Sequence, residues 1–222
     1  MGNYYPVYLD LTGRPCVVIG GGREAERKVA GLLEAGAKVT LINAEVSVVL
    51  KDMAGRGLID WVSRDYQTGD LEGAFLAIVE NDRPRVYQAV AREAEKRGIL
   101  LNVVDTTHLC SFIAPAIVRR GEVTFAISTG GLSPALARRL REELDASPVM
   151  RWAEMADLFA EVRREVRKKG LRPHPDRWQE CMDGELMDLY FGGRREEAKA
   201  RLLSMLQEQP EPTRAAGVAS GS

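Results

Sequence analysis

Cysteine and histidine are scarce in this chain. Cys16, Cys110 and Cys181 stand far apart with no C-x-x-C pair, and there are only two histidines, His108 and His174. That distribution excludes a disulfide framework and a preformed thiolate metal site, so no metal ligand set is expected, and Cys16 reads as a reduced thiol buried in a strand. Long apolar runs are missing too: no stretch approaches the roughly 20 apolar residues that span a bilayer. The start, Met1-Gly2-Asn3-Tyr4-Tyr5-Pro6, has no basic segment leading into an apolar one, so neither membrane insertion nor export is expected and the location expected is cytoplasmic. Nor is there an excess of charge. Lys plus Arg number 31 against 32 Asp plus Glu, for a net charge of -1. A neutral chain has no general attraction for nucleic acid or an anionic membrane, and any basic site has to be local.

The chain's 222 residues, 45% apolar and 28% charged, suffice for one large domain with a smaller one attached. Tyr5 to Leu11 reads as a short strand ending at Thr12-Gly13. Pro15-Cys16-Val17-Val18-Ile19 is a continuous apolar run of the kind found in parallel strands buried on both faces. Helical spacing from Ala25 to Ala35, closed by Gly36, leads into a second such run, Lys38 to Ile42. Further strands are predicted at Leu58 to Val62, Ala74 to Val79 and Leu100 to Val104, with a helix from Pro84 to Lys96 stopped by Gly98. Strand and helix alternating in this way predict an α/β fold, a Rossmann-type doubly wound parallel sheet, over residues 1–110.

Beyond it the texture changes. Phe112 to Val118 and Glu122 to Ile127, joined by Arg119-Arg120-Gly121, predict an antiparallel pair, and Ser133-Pro134 supplies the start of a helix carrying Leu136, Leu140 and Leu144 one turn apart. Residues 111–147 are thus a small α+β region. Residues 148–208 read as a helical domain with breaks near Gly170 to Pro175 and at Gly192-Gly193, and 209–222 as a disordered tail.

Gly20-Gly21-Gly22-Arg23-Glu24-Ala25 fits G-x-G-x-x-A in the right context, straight after a buried strand and opening a helix. Gly20 permits the tight turn, Gly22 lets backbone approach a pyrophosphate, and Ala25 is small enough for close helix-on-strand packing. The helix start offers free N–H groups to the phosphates of a bound NAD. Arg23 either reaches a phosphate or lies solvated on the first turn. An acid about 20 positions on would hold the adenosine ribose; here the second strand ends Ile42-Asn43-Ala44-Glu45, with Asn43 at that place. Asn hydrogen-bonds a hydroxyl without repelling a 2′-phosphate, so NAD and NADP both remain open.

Asn102 and Asp105 stand at the carboxyl end of the Leu100 strand, the edge where ligands bind in open α/β sheets. Asp105 is the foremost general-base candidate, or else a cap for Thr106-Thr107; His108 is the competing base, or a surface loop residue. Ser128-Thr129-Gly130-Gly131 precedes a helix start and suits an anionic ligand. Arg138, Arg139 and Arg141, with Arg119 and Arg120, either complement a polycarboxylate or form an exposed face balanced by Glu142 and Glu143.

Taken in order, Tyr5-Pro6-Val7-Tyr8-Leu9-Asp10-Leu11, Val18-Ile19-Gly20-Gly21-Gly22, Ala25-Glu26-Arg27-Lys28, Asn102-Val103-Val104-Asp105, Phe112-Ile113-Ala114-Pro115-Ala116 and Ile127-Ser128-Thr129-Gly130-Gly131-Leu132-Ser133-Pro134 resemble the precorrin-2 dehydrogenase and sirohydrochlorin ferrochelatase family. That family includes the N-terminal part of multifunctional siroheme synthase. The resemblance covers residues 1 to about 145 closely and the remainder loosely. It implies NAD-dependent oxidation of precorrin-2 to sirohydrochlorin by a homodimer, with 111–147 at the subunit interface and in contact with substrate. It also implies that Asp105 is the base, in some members needed for iron or cobalt insertion as well, and that Ser128, a phosphorylation site in some members, lies near the tetrapyrrole with Thr129, Gly130, Asn102 and Arg138. Val79 and Glu80 would stand beside the cofactor. There the family's usual Ala-Thr-Asp-Asp is Glu80-Asn81-Asp82-Arg83 in this chain, which adds a charge beside the dinucleotide. The methyltransferase part of multifunctional members has no counterpart in these residues, and the preceding methylation is not expected of them. An NAD-dependent oxidoreductase of another small substrate, or an NAD-sensing module without turnover, would share the glycine loop.

Overall fold

A computed structural model describes residues 4–80 and 83–207. They form two compact units: the residues up to Pro115 together with Ser128–Pro134, and Ala116–Ile127 together with the residues from Ala135 on.

The first unit is an α/β sheet. In chain order come β1 (Pro15–Ile19), α1 (Arg23–Glu34), β2 (Lys38–Ile42), α2 (Val48–Gly55), β3 (Asp60–Val62), β4 (Leu76–Val79), α3 (Pro84–Arg97) and β5 (Leu100–Val103), followed by a 3₁₀ turn, Thr107–Leu109. The strands lie in the order β3-β2-β1-β4-β5, all parallel. The apolar runs are continuous because both faces are covered. Cys16, Val18, Val39, Leu41, Leu76 and Ile78 pack with Ala25, Val29 and Leu32 of α1, while the alternate residues Val17, Ile19, Ile42, Ala77, Val79, Leu101 and Val103 pack with Val90 and Ala94 of α3. Each Val, Leu or Ile side chain among them, removed from water, contributes about 1.5–3 kcal/mol. Both long helices end on glycines in the left-handed region, Gly36 (φ 75°) and Gly98 (φ 68°), which no β-carbon obstructs.

The chain runs β1 to β3 on one side and resumes with β4 on the other side of β1. The switch point therefore falls between the carboxyl ends of β1 and β4, where such sheets hold their ligands.

Two sequence expectations change. Tyr5 to Leu11 forms no strand: β1 is already flanked by β2 and β4, and Tyr5, Val7 and Tyr8 stay exposed. The helix α2 has no predicted counterpart. What begins it is Ser47, whose Oγ accepts from the N–H of Leu50 at 3.3 Å.

The second unit opens with the antiparallel pair β6 (Ala116–Arg120) and β7 (Val123–Ile127), turning at Gly121 (φ 53°); the pair is as expected, though β6 starts later than Phe112. Then come α4 (Pro134–Asp145), α5 (Met150–Glu154), α6 (Ala156–Lys168), α7 (Pro175–Glu180), α8 (Gly184–Phe191) and α9 (Arg195–Gln207). Met155, Leu158, Val162, Cys181, Leu186, Ala198 and Leu202 are its fully enclosed core. Asp183 starts α8 by accepting from the N–H of Leu186 at 2.8 Å, and Gly193 closes the helix with φ 76°. The expected disordered tail, like Asn81 and Asp82, lies outside the described residues.

Candidate functional site

At the switch point the carboxyl ends of β1, β2, β4 and β5 surround a cleft of about 1000 Å³. Its walls are Gly20–Gly22, Glu24 and Arg27 after β1, Asn43 and Glu45 after β2, Glu80, Arg83 and Tyr87 after β4, and Val104–Thr106 after β5.

The glycine loop is shaped by close approach. Gly20 has φ 151°, and a β-carbon there would lie 2.5 Å from the carbonyl oxygen of Glu80. At Gly21 it would run into the carbonyl of Glu45, because Ser47 donates its N–H to Gly21 O at 2.9 Å and draws the β2–α2 loop against it. The sequence reading assigns the turn to Gly20 and ligand approach to Gly22; the tightest crowding is at the glycine between them. Gly22 stands before α1 with no capping side chain of its own, so the first-turn N–H groups point into the cleft, as a pyrophosphate requires. Ala25 is fully buried beneath the loop. The donor set and the space that only glycine leaves open fit a dinucleotide phosphate.

Asn43 lines the cleft, its side chain donating to Glu45 O and its carbonyl accepting from Trp61 Nε1 at 2.9 Å. Ala44 is exposed and accepts from Ser63 Oγ. Glu24, half-buried, pairs with Arg27 and Lys28; burial pushes its carboxyl up, and the two cations outweigh that and hold it below the usual value. Arg23 is exposed and off the cleft wall. Arg27, one turn further along α1, takes the wall position. Val79 is buried in the sheet, in register with Ile19 and Val103.

Asp105 is the only non-glycine residue with positive φ (58°) among the described residues. That conformation is uncommon outside Gly, Asn and Asp, and such outliers cluster at functional sites. The turn that imposes it is tied at both ends. Thr106 donates its N–H to Val103 O at 3.2 Å, and Cys110 Sγ accepts from the Val103 N–H at 3.1 Å. Burial pushes the Cys110 thiol up, and the hydrogen bond from Val103 and the Lys28 charge offset part of that. Asp105 itself is exposed on the cleft wall, with no hydrogen bond or ion pair from its carboxylate among the described residues. His108 is exposed in the 3₁₀ turn.

Asn102, expected at the substrate, is buried at 8% exposure, donating to Phe112 O at 3.1 Å. It shares a strand face with Leu100 and Val104, so it ties the segment after Cys110 to β5. The Ser128 loop reaches the Asp105 turn: a β-carbon on Gly131 would lie 3.7 Å from Thr107 Cγ2. Its hydroxyls shape the loop, Ser128 Oγ accepting from Gly130 N and Thr129 Oγ1 accepting from Ser133 N, each at 3.1 Å. In the second unit Arg138 pairs with Glu142, Arg139 with Glu143 and Arg120 with Asp145.

Arg27, Glu45, Arg83, Tyr87 and Thr106 were not singled out by the sequence reading. Their common signal is position, in the first two turns of a helix or just past strand ends at the ligand-binding edge of the sheet.

A family model described as putative NAD(P)-binding matches residues 7–116, and one described as sirohaem biosynthesis protein central matches 120–147. The siroheme synthase of Methylococcus capsulatus is 41% identical over 203 residues, covering 90% of this chain and 43% of that protein. The siroheme synthase of Photobacterium profundum is 34% identical over 221 residues, covering 99% of this chain and 47% of that one. The chain thus spans under half the length of these curated relatives. Among solved structures, SirC, a precorrin-2 dehydrogenase, superposes with a TM-score of 0.71 at 26% identity, over 90% of this chain and 100% of that one.

Proposed function

We propose that this chain, which matches the NAD(P)-binding and central parts of siroheme synthases, oxidises precorrin-2 to sirohydrochlorin with NAD. The oxidation removes two hydrogens from carbon. Bound NAD supplies the acceptor for one as a hydride; the other leaves as a proton, for which Asp105 is the base. The observation that carries this reading is the position of Asp105: a carboxylate unengaged among the described residues, held in a left-handed turn on the wall of the same cleft as the glycine loop. A carboxylate free of internal partners is available to take a proton.

In this reading Gly20, Gly21 and Gly22 hold the pyrophosphate and Asn43 the adenosine ribose. Glu45 beside Asn43 disfavours a second phosphate there, which supports NAD over NADP. Ser128, Thr129, Gly130 and Arg138 meet the substrate's carboxylates. Residues 1–110 form the cofactor domain, 111–147 a dimerising and substrate-contacting region, and 148–208 a helical domain. A homodimer is supported by Leu136 and Leu140, one turn apart on α4 and 49% and 41% exposed. Three free thiols support a cytoplasmic location.

The test is anaerobic incubation with enzymatically generated precorrin-2 and either NAD or NADP, following the tetrapyrrole spectrum and reduced nicotinamide. Formation of sirohydrochlorin by the parent, lost in a folded Asp105→Asn variant, is the expected result. Binding of NAD without turnover would overturn the reading and leave an NAD-sensing module.

A further inference from the structure

Glu80 occupies the place that the glycine loop keeps open. Its Oε2 accepts from the Gly22 N–H at 3.2 Å. A β-carbon at Gly20 would lie 2.7 Å from Oε2, and one at Gly22 would lie 2.9 Å from Oε1. Both carboxylate oxygens therefore sit in glycine-made space at the positive end of α1, where a pyrophosphate's oxygens belong. The cations on the same wall are engaged elsewhere, Arg27 with Glu24 and Arg83 with Asp65, and Glu80 makes no ion pair among the described residues. Its backbone is fixed by an N–H bond to Ile19 O at 2.8 Å, so only the side chain is able to leave.

We infer that Glu80 is an internal competitor for the pyrophosphate seat: the dinucleotide binds by displacing this carboxylate from the Gly22 N–H, and Glu80 thereby sets cofactor affinity. The inference rests on the cofactor reading above. A carboxylate and a pyrophosphate cannot share one N–H, and like charges in contact repel strongly in a partly enclosed cleft. The opposite role, a Glu80 that grips the bound cofactor through a ribose hydroxyl, predicts the opposite sign on substitution.

Titration calorimetry on the whole chain, as parent, Glu80→Gln and Glu80→Ala, with NAD, ADP-ribose and adenosine, decides between them; melting temperatures check folding. Removing the charge is expected to tighten NAD and ADP-ribose by about tenfold at low salt, with the gain shrinking as salt rises. Adenosine, which carries no phosphate, should bind all three alike. Variants that bind NAD no better than a parent that does bind it overturn the inference and leave the cofactor site standing. Equal tightening of adenosine also overturns it, by revealing a reshaped cleft instead of a displaced anion. If neither the parent nor the variants bind NAD or ADP-ribose, the cofactor reading falls and this inference with it.

Discussion

In the helical unit Arg195 reaches Asp157 and Glu161, Lys199 reaches Glu161 and Glu165, and Arg201 reaches Asp183 and Glu185. At the cleft of the α/β unit, by contrast, among the described residues Asp105 has no internal partner and Glu80 holds a single backbone N–H. Interleaved opposite charges satisfy one another and go to holding helices together. Charges left without such partners at the carboxyl edge of a sheet remain available to a ligand. The α/β unit makes the same distinction internally. Its buried Glu93, 6% exposed, accepts from Tyr66 Oη, Gly69 N and Arg97 Nε, so that carboxylate is taken up by the fold while Asp105 faces the cleft.

The largest effect should fall on Asp105. Asn tolerates the left-handed region, so Asp105→Asn should keep its melting temperature and NAD affinity while turnover falls by about 10²–10⁴-fold. A matching loss of stability would make Asp105 structural and break the contrast.

Leu158→Ala, which empties a fully buried position in the helical core, should cost about 2–5 kcal/mol in denaturant unfolding and leave NAD affinity below the transition unchanged. A parallel loss of NAD binding would show that the two units do not divide stability from ligand binding.

Glu93→Gln follows, at about 1–3 kcal/mol for weakened hydrogen bonds to a buried charge. Burial pushes the Glu93 carboxyl up, but its bonds from Tyr66, Gly69 and Arg97 outweigh that and hold it below the usual value. Because the folded form binds the proton less readily, this stabilisation is full above the ordinary carboxylate range and is lost as pH falls through the lowered folded value. Acid unfolding curves should therefore be steeper for the parent than for the Gln variant; identical slopes would contradict the assignment.

Lys199→Ala should give the smallest change, since its partners Glu161 and Glu165 are still partly exposed to solvent. Thermal melts at low and ~1 M salt check it, with any difference vanishing at the higher. A large, salt-independent loss would place the helical unit's charges in its core.

The buried strands and the glycine loop were legible because each has a local cause: two-sided burial demands uninterrupted apolar residues, and a turn that brings backbone against Glu80 and Glu45 admits only glycine. Asp105 was legible because it follows a strand directly. Asn102 looked the same from sequence, yet one residue's alternation turned it inward onto Phe112 O. The wall position of Arg27, instead of Arg23, follows from how α1 is rotated on the sheet, which periodicity states only relative to the helix itself.

By itself, the sequence determined the alternation of strand and helix, the phosphate-binding turn and the residue types that chemistry needs, since propensity, period and turn geometry act over a few neighbours. Only the tertiary structure decided that β4 returns beside β1, that Glu80 thereby meets the Gly22 N–H, and that Asp105 shares their cleft. Those contacts join residues up to 85 positions apart in the chain, and it is the packing of the sheet's two apolar faces that brings them together.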